Sequence, residues 1–320
     1  MPHGSNIIHS MNILISGING YIGSYLADYL IKHGFCVDGI IRRDIESINY
    51  LNNEILLYKS DILEIEDLNL GKEYDYFIHL AAANDVDSKD DKKALLYTSL
   101  GTKKCLDFCL KNNITKFIYF STFQVYGTDH GFITESSQVN CNNDYSITHF
   151  FAEEYIKSMK YKSIEYIIFR PTNIYGAALS RDINRDTLVP TCFCLSALEK
   201  SEVNLLSSGK QYRNFISLNE LSFNLLKTLE NFETNKNNIY NIAGKLNLKI
   251  YDVANLVVEV YTEMYQKKCT LNILSEYPKE IKRLEVGTSK LENLSSDILT
   301  MKDEIKNIFK LYEGRNDRNY

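Results

Sequence analysis

The sequence predicts an α/β fold: a doubly wound parallel sheet with a smaller carboxy-terminal lobe. Two observations carry this. From Met11 onward, short apolar runs alternate with amphipathic stretches, the pattern of parallel strands joined by right-handed helical crossovers. A glycine-rich segment also separates the first apolar run from the first amphipathic stretch, where such a sheet brings its backbone close to a ligand.

The runs NILIS (12–16), FCVDGII (35–41), EILLYKS (54–60), YDYFIHLAAA (74–83), KFIYFST (116–122) and IEYIIFRP (164–171) read as strands. Helices are expected over 21–33, 92–112 and 144–160. After Pro171 the alternation weakens. A loop over 173–190 precedes a helix at 191–200, strand candidates lie within 203–216, and helices are expected at 219–230 and 250–265. The chain thus reads as a first domain over 11–170 and a smaller lobe over 171–313, some of whose segments return to the first domain. Residues 1–10, MPHGSNIIHS, read as a remnant outside the natural chain, with Met11 as the natural start, and residues 314–320 as a flexible tail.

With 320 residues, 44% hydrophobic and 24% charged, the chain can bury a large core. A formal net charge of -5 offers no basic stripe for a nucleic-acid backbone, so no nucleic-acid partner is expected. No apolar run approaches the length of a membrane span, and the first ten residues lack the order of a signal peptide. The seven cysteines, without CxxC pairs or histidines at ligand spacing, read as reduced thiols of a cytoplasmic protein with no metal site. Cys105 and Cys109, four apart in an apolar pattern, are expected in the core.

The segment Gly17-Ile18-Asn19-Gly20-Tyr21-Ile22-Gly23 follows the first strand and opens the first helix. Glycine at its three positions allows a tight turn, approach of backbone to a pyrophosphate, and close packing of helix on strand, with the phosphates at the helix N-terminus. The motif points to a dinucleotide. Its GxxGxxG spacing resembles that of the extended short-chain dehydrogenase/reductases of NAD-dependent epimerase/dehydratase type, a family of nucleotide-sugar epimerases, dehydratases and 4-ketoreductases on a Rossmann fold.

Further stretches resemble the family's landmarks in the same order. Asp61-Ile62 looks like the pair that reads adenine, and His79-Leu80-Ala81-Ala82-Ala83 like the stretch lining the cofactor. Ser121 to Gly127 resembles STxxVYG, Tyr145 to His149 stands where YxxxK belongs, and Arg170 to Gly176 resembles RxxNVYG. The resemblance implies that Tyr145 is the acid/base at a sugar hydroxyl and that Thr122 orients the same oxygen, with Phe123 beside the substrate. It implies that Asn173, Arg213 in GKQYRNF and Arg283 before VGTSK hold the diphosphate of a nucleotide sugar, a task for which the planar guanidinium fork is suited. It also implies a homodimer formed by the helices around 92–112 and 144–160.

Four positions depart from the family's pattern. Gln124 stands two places after Thr122, where dehydratases carry an acid, which disfavours dehydration. The second strand ends Ile41-Arg42-Arg43 rather than in an acid, which favours NADP over NAD, with Asp44 keeping NAD as the alternative. Because reductases exchange NADPH at each turnover, these residues tilt the expectation toward a nucleotide-sugar 4-ketoreductase resembling the CDP-abequose and CDP-paratose synthases. A 4-epimerase with tightly bound NAD and a catalytically silent NADP-binding protein are the alternatives. Thr98 replaces an asparagine that commonly supports the active-site helix. His149 replaces the lysine that holds the nicotinamide ribose and lowers the tyrosine pKa, and a histidine is mostly neutral near neutral pH.

Overall fold

A computed structural model of the chain describes residues 11–45, 48–277, 282–287 and 299–314. In chain order the elements begin with β1 (Asn12–Ser16), α1 (Tyr21–Lys32), β2 (Cys36–Ile41), β3 (Leu57–Lys59), β4 (Tyr76–His79), α2 (Asp91–Lys93), α3 (Gly101–Lys111) and β5 (Lys116–Phe120). They continue with β6 (Gly131–Ile133), α4 (Asp144–Lys157), β7 (Glu165–Pro171), β8 (Asn173–Tyr175), α5 (Thr191–Lys200), β9 (Glu202–Leu205) and β10 (Tyr212–Ser217). The remainder is α6 (Leu218–Glu230), α7 (Phe232–Asn235), β11 (Asn238–Ile242), β12 (Leu246–Lys249), α8 (Ile250–Tyr265), β13 (Thr270–Ile273), β14 (Leu284–Val286) and α9 (Met301–Tyr312).

The doubly wound sheet is present. Seven strands run in the order β11-β7-β5-β4-β1-β2-β3, and the pairs β1·β2, β1·β4, β2·β3 and β4·β5 are parallel. Strand order reverses between β1 and β4, so the connections leaving their carboxyl ends part to opposite faces and open a crevice there. Ile13, Leu14, Ile15, Phe77, Ile78, Phe117 and Ile118 are fully buried in this sheet. Such near-continuous apolar strands are what two covered faces require. Cys105 and Cys109 are fully buried on α3, as their apolar spacing implies.

The chain divides into two compact units, one of residues 1–121, 143–168 and 235–238, the other of 122–142, 169–234 and 239–320. The second unit has its own core, in which Cys194, Val203, Phe215, Val253, Val257, Ile305, Ile308 and Phe309 are buried. Its small sheets include β12-β10-β8, in which β8 comes from within the stretch expected to be loop. Three residues are too short a run to show a period, and the pairing of Asn173 with Phe215 is what makes β8 a strand.

The single helix expected over 92–112 is broken into three. One α turn, α2, leads into a π-helix over Ala94–Leu100, and α3 follows. At the junction, Gly101 packs so closely on Ile62 that a Cβ there would lie 2.6 Å from the Ile62 Cδ1. No helix among the described residues is long and apolar enough to cross a membrane.

Candidate functional site

The glycine-rich turn lies at the carboxyl end of β1, in the crevice. Gly17 has φ +74°, and a Cβ there would sit 2.9 Å from the Ala81 backbone nitrogen at the end of β4. A Cβ on Gly23 would overlap the Gly17 carbonyl oxygen. The glycines are thus required by backbone approach on both sides of the turn. Gly20 caps α1 without a side chain, and the first turn of α1 holds no acid, so its amide N–H groups and dipole stay available to an anion. The Asn19 carbonyl is held by the Tyr50 hydroxyl at 2.8 Å, Tyr21 is buried and Ile22 half-buried. This is a cradle fitted to a pyrophosphate.

Leu80, Ala81 and Ala82 are half-buried on the opposite rim, and Ile62 is buried. Asp61 accepts from the Leu63 amide at 2.9 Å and from the Tyr97 hydroxyl at 3.4 Å. The Arg42 guanidinium lies 5.0 Å from the centre of the Tyr97 ring and 3.9 Å from Asp61. Of the two arginines expected to read a 2′-phosphate, Arg42 thus leans over Tyr97 toward Asp61 while its side chain stays exposed. Arg43, at the end of β2, is exposed too. Asp44 is bound to Lys59, which holds its carboxyl below the usual range.

Tyr145, His149 and Glu153 recur every fourth residue and share one face of α4. Tyr145 is half-buried and meets the His149 ring edge-to-face at 4.6 Å. His149 Nδ1 is 2.6 Å from the Tyr119 hydroxyl, and Glu153 accepts from Ser121 at 2.6 Å, so β5 and the residue just after it answer the helix with hydroxyls at alternate positions. Behind them, His79 bridges Ser16 at 2.7 Å and Thr102 at 3.0 Å. Thr102 spends its proton on the Thr98 carbonyl at 2.6 Å, so it accepts from His79 Nε2 and leaves Nδ1 to accept from Ser16. Burial pushes both imidazoles down, to about 3 for His79, with repulsion from His149 adding, and to about 3 for His149. Both rings are neutral at ordinary pH, so the position where the family carries a lysine holds no cation. Thr98 serves the backbone instead, accepting from the Ala83 amide at 3.2 Å.

In the second unit, Thr122 is buried and accepts from the Gln124 amide at 3.2 Å, which leaves its own proton to donate. Phe123 packs edge-to-face on Tyr126 at 5.0 Å, and Gln124 is exposed. Arg213 holds Asp129 at 3.4 Å and the Tyr212 carbonyl at 2.9 Å. The His130 ring, and after it Arg213, keep the Asp129 carboxyl below its usual range. Two residues on, the Gly131 amide donates to the Arg283 carbonyl at 2.8 Å, so one turn touches both arginines. The Arg283 side chain is exposed, while residues 288–290 of its motif lie outside the described residues. Asn173 donates to the Asn214 carbonyl at 2.8 Å.

Tyr119, Ser121 and Glu153 escaped the sequence reading as partners of the site. The alternation of Tyr119 and Ser121 in KFIYFST was a legible signal, but which helix faced them was not. Asp129 carried no signal at all.

Residues 13–243 match the model of the NAD dependent epimerase/dehydratase family. A dTDP-D-glucose 4,6-dehydratase of Dictyostelium discoideum is 30% identical over 278 residues, 78% of this chain and 62% of that relative, so the chain spans under two thirds of its length. A UDP-glucose 4-epimerase of Yersinia enterocolitica is 27% identical over 303 residues, 85% of this chain and 88% of the relative. Among solved structures, the UDP-glucuronic acid 4-epimerase of Bacillus cereus, in complex with UDP-glucuronic acid and NAD, is similar with a TM-score of 0.77. It is 25% identical, and the match covers 94% of this chain and 98% of that one. The glycine cradle, the strand-order reversal and the family match agree: the chain belongs to the NAD-dependent epimerase/dehydratase family.

Proposed function

We propose that the chain is an NAD-dependent nucleotide-sugar 4-epimerase acting on a UDP-sugar. The observation that carries this choice is the likeness to the UDP-glucuronic acid 4-epimerase of Bacillus cereus in complex with UDP-glucuronic acid and NAD. An unphosphorylated dinucleotide suits an enzyme that retains its cofactor through turnover. The similarity to the UDP-glucose 4-epimerase of Yersinia enterocolitica supports the same reading.

When bound, the nicotinamide supplies hydride exchange at a sugar carbon. Tyr145 takes and returns the proton of the hydroxyl on that carbon, and Thr122 donates a hydrogen bond to the same oxygen. His149 presents a neutral imidazole one turn beyond Tyr145. Arg213, Asn173 and Arg283 hold the diphosphate, with Phe123 beside the sugar. Gln124 cannot exchange a proton as an acid would, so the dehydration carried out by some relatives is not expected. Leu95, Leu110, Ile147, Phe151 and Tyr155 are exposed around α3 and α4, and we assign this apolar stripe to a homodimer contact.

A 4-ketoreductase using NADP is the second reading. Arg43 favours it, since it is exposed and holds no ion-pair partner among the described residues. Nucleotide released on denaturing the purified protein separates the two. Retained NAD, together with C4 inversion of a UDP-sugar without added cofactor, supports the epimerase. An empty protein that oxidises added NADPH against a 4-keto sugar overturns it, and retained nucleotide without turnover on any sugar nucleotide means a catalytically silent protein.

A further inference from the structure

We infer that Tyr119 is a positioning residue whose phenol donates to His149 Nδ1 and so holds His149 as an uncharged Nε2–H donor beside Tyr145. The inference rests on the reading of Tyr145 and His149 as parts of the nicotinamide site.

Tyr119 lies on β5, is almost wholly buried, and stands 2.6 Å from His149 Nδ1. Burial raises the Tyr119 phenol well above its ordinary value, with the Glu153 and Tyr145 charges adding, so it keeps its proton. A buried phenol proton needs an acceptor. The other hydroxyl against Tyr119 is that of Thr102, whose proton goes to Thr98 and one of whose two lone pairs is taken by His79, whereas His149 Nδ1 stands at the short distance of 2.6 Å. The His149 ring is neutral, so one of its nitrogens is an acceptor, and Nδ1 is the one facing the phenol. The remaining proton is then on Nε2, at the edge of the ring turned away from β5.

The titratable groups facing the imidazole are Tyr119 from β5, His79 from β4, and Tyr145 and Glu153 from α4 itself. None supplies a cation. Tyr119 therefore lets a histidine retain the donor function of an ammonium without its charge. The signature lies in the ring nitrogens, which a merely space-filling tyrosine would not set.

The test uses the full chain labelled with ring-¹⁵N histidine, with the His149 signals assigned by their loss in His149→Asn. In the wild type, long-range ¹H–¹⁵N spectra should show a protonated Nε2 and an Nδ1 shifted toward the hydrogen-bonded range. In Tyr119→Phe, which removes one oxygen, Nδ1 should move to the position of a free acceptor or a second tautomer should appear. A wild type protonated at Nδ1 overturns the inference without needing any variant, as does an Nδ1 resonance that is the same in Tyr119→Phe. Calorimetry with NAD, on protein first stripped of any retained nucleotide, accompanies the spectra. The variant should bind NAD about three- to tenfold more weakly, the range of one hydrogen bond. If stripped wild type binds no NAD and none was retained on purification, the proposed function fails, while the ring nitrogens still decide the role of Tyr119.

Discussion

Acid should weaken this protein through its two buried imidazoles, and His149→Asn isolates one of them. The folded His149 and His79 rings sit at about 3, against 6.5 in a free chain. As the pH falls below the unfolded value, the unfolded chain takes up protons that the folded chain refuses. The contribution is therefore fully present above about 6.5 and is lost progressively toward about 3. For one ring, moving from about pH 7.5 to about pH 5 costs roughly 2 kcal/mol of stability. Glu220 works in the opposite direction, since burial raises its carboxyl to about 7 and its folded form gains protons first. A wild-type pH profile alone would mix the two. Asparagine keeps an acceptor where Nδ1 lies but does not titrate. The stability gap between wild type and variant should accordingly narrow by about 2 kcal/mol over that interval. Protection of the α4 amides against hydrogen exchange measures the gap without assuming that both units unfold together. A gap that stays constant between the two pH values would falsify the neutral, buried assignment of His149.

Four further outcomes test the site. Gly17→Val should abolish NAD binding in calorimetry, because φ +74° and the Ala81 backbone leave no room for a branched side chain; undiminished affinity would take the cofactor away from this turn. Arg213→Ala should weaken UDP-sugar binding about tenfold or more while NAD affinity is unchanged, and a parallel fall in both would indicate a folding defect instead. Tyr145→Phe should lower turnover by about two powers of ten or more, the range for a lost acid/base, while His149→Lys should shift the pH optimum of hydroxyl oxidation downward. Equal turnover in Tyr145→Phe would remove Tyr145 from the chemistry.

Local pattern alone determined the parallel sheet, the turn Gly17 to Gly23, and the helices α4, α5, α6 and α8. Each rests on periodicity or a turn requirement that neighbouring residues express without knowledge of the rest of the chain. The i, i+4 spacing likewise suffices to put Tyr145 and His149 on one face of a helix. Tertiary structure decided the rest, because those properties belong to pairs distant in sequence. Arg42 reads as a free cation until Asp61 and Tyr97 are folded against it, 19 and 55 residues away by their numbers. β8 becomes a strand only by pairing with β10, and the helix over 92–112 opens into a π segment within the packing of α3 and Ile62. The state of His149 depends most on the fold: its type permits either charge, and only burial against Tyr119, 30 residues earlier, makes it neutral and points one nitrogen inward.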